Sequence, residues 1–388
     1  MVAIERALAA GLMVGAVCGG PAAAGTNDIL VGLDSKIAYT DQGQVNVKPG
    51  TDAVLVMDIS NPAAPRIRAS LPLANSLLGP PTNLEITPDG KLGLVANSVT
   101  HVPDGNGWKI QPDDKLFVID LDANPPKLLD TITVGKQPSG LDISRKGDLA
   151  LIANRAGKSV TVLSIAGSAV KVVGEVPLGQ EAAGVAITPD GKRAFAVMNL
   201  VNKVAVLEID GQKVTYDKAQ DIPAAFNPYN VAVTPDGKYA IASSTGAGGM
   251  NGDALTVIDT SGKWPHVVGL ATFGGGAEGL AIAPNGKWVA TPLLLGSSLK
   301  HADPAYTKNG EAVLISIGPN GELRGTSRQP LGGLPEGIAF SADSQYLYVG
   351  NYIDHDLQVF RIDGEKLESV GDRIKLPGQP ASMRGIAR

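Results

Sequence analysis

Glu278, Glu336 and Arg384 each stand immediately before a glycine that opens a recurring segment, at Gly279, Gly337 and Gly385. A carboxylate can activate water, and an arginine can stabilise an oxyanion or hold an acidic group. With His301, the set is suited to opening a lactone. These four are the catalytic candidates. The same position ahead of the other segments holds Thr82, Ser139, Ala183 and Tyr229. Loops after the second stretch of each segment add Asn97, His101, Arg155 and Tyr352. Tyr229, His101, Arg155, Tyr352 and Asn97 are therefore the ligand-binding candidates. The plainer alternative makes the Glu–Arg set a solvated ion-pair cluster, with His101 and His301 ordinary loop histidines.

Other chemistries find no support. The only cysteine is Cys18, no C-x-x-C-H haem site exists, and the four histidines are scattered, so no metal or cofactor is expected. A G-x-S-x-G elbow is absent. The glycine-rich run 246–252 precedes a strand pattern instead of a helix, which does not suit a phosphate cradle.

What must position these residues is a repeat. Segments such as N-L-E-I-T-P-D-G-K from Asn83, G-V-A-I-T-P-D-G-K from Gly184 and N-V-A-V-T-P-D-G-K from Asn230 recur at 83, 140, 184, 230, 279 and 337, with a seventh start, G-I-A-R, at Gly385. Spacings of 44 to 58 residues match four-stranded propeller blades. P-D-G-K is a turn: Pro presets the first corner, Asp bonds its own backbone, and Gly takes the left-handed position. The N-terminal part supplies strands two, three and four of a blade lacking its first, which residues 384–388 provide. The expected fold is all-β, a seven-bladed β-propeller of four-stranded antiparallel blades, closed by pairing the two termini. The residues ahead of each start then ring a channel mouth. Three long loops gather there, residues 36–51, 98–114 and 296–310, where binding usually resides.

Composition agrees. Gly 48 and Pro 27 in 388 residues favour short strands and tight turns over helices. The net charge of −5, without a basic run, argues against nucleic-acid binding. Residues 7–17 are apolar and precede the small-residue run 21–24, the pattern of a signal peptide over residues 1–24. It is short for a membrane span. Cleavage leaves a cysteine-free propeller over 25–388, expected to be a periplasmic or secreted monomer without a membrane span.

The units G-[LVI]-x-[IVF]-[TS]-P-D-G-K, followed by V-A-N and V-x-V-I-D, resemble the YVTN-type propeller repeats of exported bacterial proteins. The last full unit, residues 334–351 followed by 357–363, is similar to the seven-bladed lactonase family of 6-phosphogluconolactonase type. That resemblance implies the fold and a Glu, Arg and His channel site, echoed at Glu278, Glu336, Arg384 and His301. The wider superfamily includes lactone hydrolases, a muconate-cycloisomerising enzyme, amine dehydrogenase heavy chains and non-catalytic surface proteins. Three functions stay open: a propeller binding a small ligand or periplasmic partner, a lactone or sugar-acid ester hydrolase, or a non-catalytic subunit of a periplasmic dehydrogenase.

Overall fold

The repeated corners are built as their residues dictate. Thr87 Oγ1 donates to Asp89 Oδ1 at 2.7 Å, the same oxygen accepts the Lys91 N–H at 3.1 Å, and Gly90 follows at φ 74°. Thr188–Asp190–Gly191 and Thr234–Asp236–Gly237 repeat the arrangement. In the last repeat Ser344 takes the glycine's place at φ 61°.

The computed structural model describes residues 27–246 and 253–387. The expected signal peptide with Cys18, and all but the first residue of the glycine-rich run 246–252, lie outside the described residues.

The corners join strands into seven antiparallel blades of four strands, two of which carry a split outer strand. Six innermost strands are Leu84–Ile86, Pro138–Ile143, Gly184–Ile187, Pro228–Val233, Ala281–Ile282 and Pro335–Phe340, in blades 2 to 7. Blade 1 takes its innermost strand, Pro380–Arg384, from the C-terminus and pairs it with Asp28–Leu33. The ring is therefore closed by hydrogen bonds between the two ends of the chain. Its core lies between blades. Ile29, Val31, Leu55 and Met57 of blade 1 pack on Ala339, Tyr348 and Leu357 of blade 7, and Leu30 and Val56 pack on Leu84 and Val95 of blade 2. Each buried large aliphatic contributes roughly 1.5–3 kcal/mol, so no blade is stable without its neighbours.

Closure corrects the last repeat start. Pro380 sits opposite Leu33 as Pro335 sits opposite Asn351 and Pro138 opposite Asn154. Ser382, not Gly385, therefore occupies the position of Gly140 and Gly337. Arg384 aligns with Asp142 and Ala339. Cross-strand bonding sets this register and buries Ala381 and Met383. Gly385 has left the ladder, and its carbonyl accepts the Ile86 N–H at 3.1 Å.

Two of the long loops are strands. Residues 98–114 extend a hairpin, Leu92–Asp104 against Gly107–Asp120, because V-T-H-V and W-K-I-Q alternate on either side of an Asp-Gly-Asn-Gly turn. Residues 36–51 contain a second hairpin, Ile37–Thr40 against Gly43–Asn46.

Candidate functional site

The position ahead of each repeat start lies on the channel wall, and in blades 5, 6 and 7 it holds Tyr229, Glu278 and Glu336. Packing there is close. A Cβ on Gly279 would lie 2.6 Å from the Glu336 carbonyl, and one on Gly140 would lie 2.8 Å from Gly184 Cα. Only glycine lets neighbouring innermost strands approach so nearly. Thr82 Oγ1, at the same repeat position in blade 2, donates to Asn230 Oδ1 of blade 5 at 3.3 Å across the channel.

Glu336 is 2% exposed, and its Oε2 has no hydrogen-bond partner among the described residues. Burial, then the nearby Glu278 charge, pushes its carboxyl well above the ordinary carboxylate range. Burial also pushes Glu278 up to about 7, against the pull of Arg155 and a hydrogen bond with the Tyr229 hydroxyl. The Arg155 guanidinium lies 5.6 Å over the Tyr229 ring, and its Nε is buried without a partner. Burial raises the Tyr229 hydroxyl too, and the Gly79 N–H opposes that by bonding it. Two carboxyls in one low-dielectric space cannot both ionise near neutrality, so the pair suits an acid and a base acting together.

The hairpin Ile37–Asn46 roofs this chamber. Tyr39 hangs from it, edge-on to Tyr352 with ring centroids 6.1 Å apart, and feels the charges of Glu336 and Glu278. Tyr352 is fully buried, and its hydroxyl donates to the Ile37 carbonyl at 2.8 Å. The other long segments hold the roof down. His101 Nδ1 lies 3.0 Å from the Val47 carbonyl, Asn46 Nδ2 donates to the Trp108 carbonyl at 3.4 Å, and His301 pairs with Asp41 at 2.8 Å.

The candidates thus divide. Glu278, Glu336, Tyr229 and Arg155 come together. Tyr352 and His101 support the roof, and His301 sits half-exposed on its edge. Asn97 is fully buried and donates to Asp113 within its own hairpin, the role that Asn154 and Asn351 play in their blades. Arg384 is not a neighbour of the glutamates. It lies one layer further along the channel, with Nη2 2.8 Å from Glu85 and 3.0 Å from Asp142, and Nη1 donating to the Leu141 carbonyl at 2.7 Å. The three-residue shift in register is the cause. Glu85 and Asp142 escaped attention, yet they carried a signal: Ala186, Ala232, Ala281 and Ala339 fill the same repeat position elsewhere. Tyr39 had none, since only the hairpin's fold brings it over the channel. Among the described residues no cluster fit to hold a metal occurs, and no helix is long and apolar enough to cross a membrane.

Comparison with solved structures supports the architecture. A Bacteroides fragilis protein proposed to be a 6-phosphogluconolactonase superposes with a TM-score of 0.71 at 17% identity, covering 94% of this chain and 99% of its own. The periplasmic gluconolactonase of Pseudomonas aeruginosa gives 0.66 at 18%, covering 92% and 98%. Hydrazine synthase of Kuenenia stuttgartiensis gives 0.61 at 19%, covering 80% and 90%. The chain is a seven-bladed propeller with gluconolactonase-like proteins among its structural neighbours. At these identities the likeness is one of fold. No family model matches the sequence, and no curated protein does.

Proposed function

We propose that this protein is a hydrolase of a lactone or a related sugar-acid ester, acting in the roofed chamber. The observation that carries the reading is Glu336, buried with its Oε2 unpartnered among the described residues, beside the half-buried Glu278. Among the described residues no cation ion-pairs with either carboxyl, Arg155 acting on Glu278 only from a distance, so the pair keeps one proton near neutral pH. Glu278, whose charged form the Tyr229 hydroxyl and Arg155 favour, is the base. It takes a proton from water as the water oxygen bonds to the ester carbonyl carbon. The carbonyl electrons move to oxygen, where the Arg155 guanidinium offers N–H donors while the Tyr229 hydroxyl stays on Glu278. Collapse of the tetrahedral adduct breaks the ring C–O bond, and Glu336, still protonated, gives its proton to the leaving oxygen. The products are a hydroxy acid and the same pair with one proton moved, restored by exchange with solvent.

The solved relatives named as gluconolactonases support a lactone as the first class to test. The leader pattern supports action in the periplasm or outside the cell. Arg384, tied to Glu85 and Asp142, is left out of the chemistry. His301 is assigned to the roof.

The test is a turnover screen of the mature protein against aldonolactones and simple γ- and δ-lactones, alongside Glu336→Gln and Arg155→Ala. Turnover that both variants reduce supports the hydrolase. Thermal stabilisation by a lactone without turnover makes the chamber a binding site only. No response to any lactone overturns the proposal.

A further inference from the structure

The same channel holds a second space, on the other side of the Thr82–Asn230 pair. It is a cavity of about 170 Å³ that opens among the P-D-G and P-N-G corners, past Pro189, Pro235 and Pro284. The space exists because four of the seven innermost strands place alanine at its level, Ala186, Ala232, Ala281 and Ala339. The other three strands place Arg384, Glu85 and Asp142 there, on consecutive blades 1, 2 and 3. One wall is therefore charged. The opposite wall is apolar, formed by Leu280, Ile282, Ile338 and Phe340.

The charged wall is held in place. Glu85 Oε2 accepts the Ile143 N–H at 2.8 Å and Asp142 Oδ2 accepts the Ile187 N–H at 2.7 Å, each on the next blade. Arg384 spends N–H groups on Leu141, Asp142 and Glu85. A guanidinium has five N–H groups, so two remain, and the quarter of this side chain that is exposed lines the cavity. Arg145 reaches over the opening to donate to the Pro235 carbonyl at 2.8 Å, which adds a second cation at the mouth. Burial pushes Glu85 well above the ordinary carboxylate range. The Asp142 charge is matched by Arg384 at 3.0 Å, and Asp28, which also lines the cavity, is paired with Arg68 at 2.6 Å, so each of these carboxylates already has its own cation.

We propose that this half of the channel is a ligand site of its own, taking a small carboxylate with an apolar body. The carboxylate meets Arg384 and Arg145, and the body lies on the wall of Leu280, Ile282, Ile338 and Phe340. A cavity of this size accommodates one benzene-sized group. The site is independent of the hydrolytic reading, because it shares no residue with the Glu278–Glu336 chamber.

Benzoate is the probe, with benzyl alcohol as its uncharged counterpart, titrated calorimetrically into the mature protein. The expected result is saturable one-to-one binding of benzoate, at least tenfold tighter than benzyl alcohol. Ala281→Leu fills the cavity without touching a charge and is expected to weaken benzoate at least tenfold. Arg145→Ala weakens it less. A Glu278→Gln/Glu336→Gln protein, lacking the upper pair, is expected to bind benzoate as the wild type does. Absence of saturable binding overturns the proposal. So does binding that survives Ala281→Leu, that the Glu278→Gln/Glu336→Gln protein loses, or that benzyl alcohol matches. A circular-dichroism melt of Ala281→Leu separates a filled cavity from a misfolded ring: if it does not fold, Ala339→Leu from blade 7 takes its place.

Discussion

Two pairs of acidic side chains line one channel and are handled in opposite ways. Glu85 and Asp142 share Arg384, and each also receives a backbone N–H from the next blade. None of their polar atoms is among those left buried without a partner. Glu278 and Glu336 have no such cation. Arg155 is drawn over the Tyr229 ring, and Glu336 Oε2 is left unpartnered. An unsatisfied buried polar group costs about 1–3 kcal/mol. The lower set therefore serves the fold by pinning the C-terminal strand to blades 2 and 3. The upper set works against the fold, which under the proposed hydrolytic reading is the cost of groups kept for chemistry.

That contrast breaks first at Arg384. Arg384→Met strips the cation from two buried carboxyls and is expected to cost about 3–5 kcal/mol, read as a drop in the denaturant midpoint. Adding Glu85→Gln and Asp142→Asn should return most of it. A single variant as stable as wild type would show the lower set to be no clamp. At the upper set the largest effect is on rate. Glu336→Gln is expected to lower lactone turnover about a hundredfold or more, with no loss of melting temperature at pH 8.

The pH dependence of stability sharpens the same point. The folded protein holds the Glu278 proton up to about pH 7, against 4.5 for an ordinary glutamate. Its protonated form is favoured by folding, so that contribution is intact below about pH 4.5 and is lost as pH rises to about 7. Glu278→Gln should match wild type at pH 4 and melt above it at pH 8. Melting curves with a constant difference across that range would contradict the assignment. The smallest effect belongs to Arg155→Lys, which weakens stacking on Tyr229 by about 1 kcal/mol and should reduce kcat/KM several-fold with little change in stability.

Much of this architecture was legible from residues alone. The T-P-D-G-K corners, the strand alternation between them and the orphan strands at the N-terminus specified blades, their number and a closure through the C-terminus. Glu278, Glu336 and Tyr229 were legible as channel residues, because each stands one place ahead of a repeat start, a glycine after the two glutamates and Asn230 after Tyr229. Arg384 was misplaced because G-I-A-R imitates a repeat start. Sequence similarity cannot weigh Gly385 against Ser382, whereas the ladder to Asp28–Leu33 can. His101 and His301 looked like rim ligands because a polar loop residue reads the same whether it faces a ligand or another loop.

Local chemistry acts over a few residues, so the sequence by itself determined the turns, the repeat length and the innermost strands of blades 2 to 7, but not the register of blade 1's innermost strand or the two hairpins at the rim. Only the closed ring decided which of those strands' side chains meet. Glu85, Asp142 and Arg384 join from positions some 300 residues apart at the extreme, and Tyr39 reaches Glu336 through a hairpin folded over the mouth. Register across the closure and the path of the roof depend on hydrogen bonds and burial between distant segments, and these come into being only when all seven blades are in place.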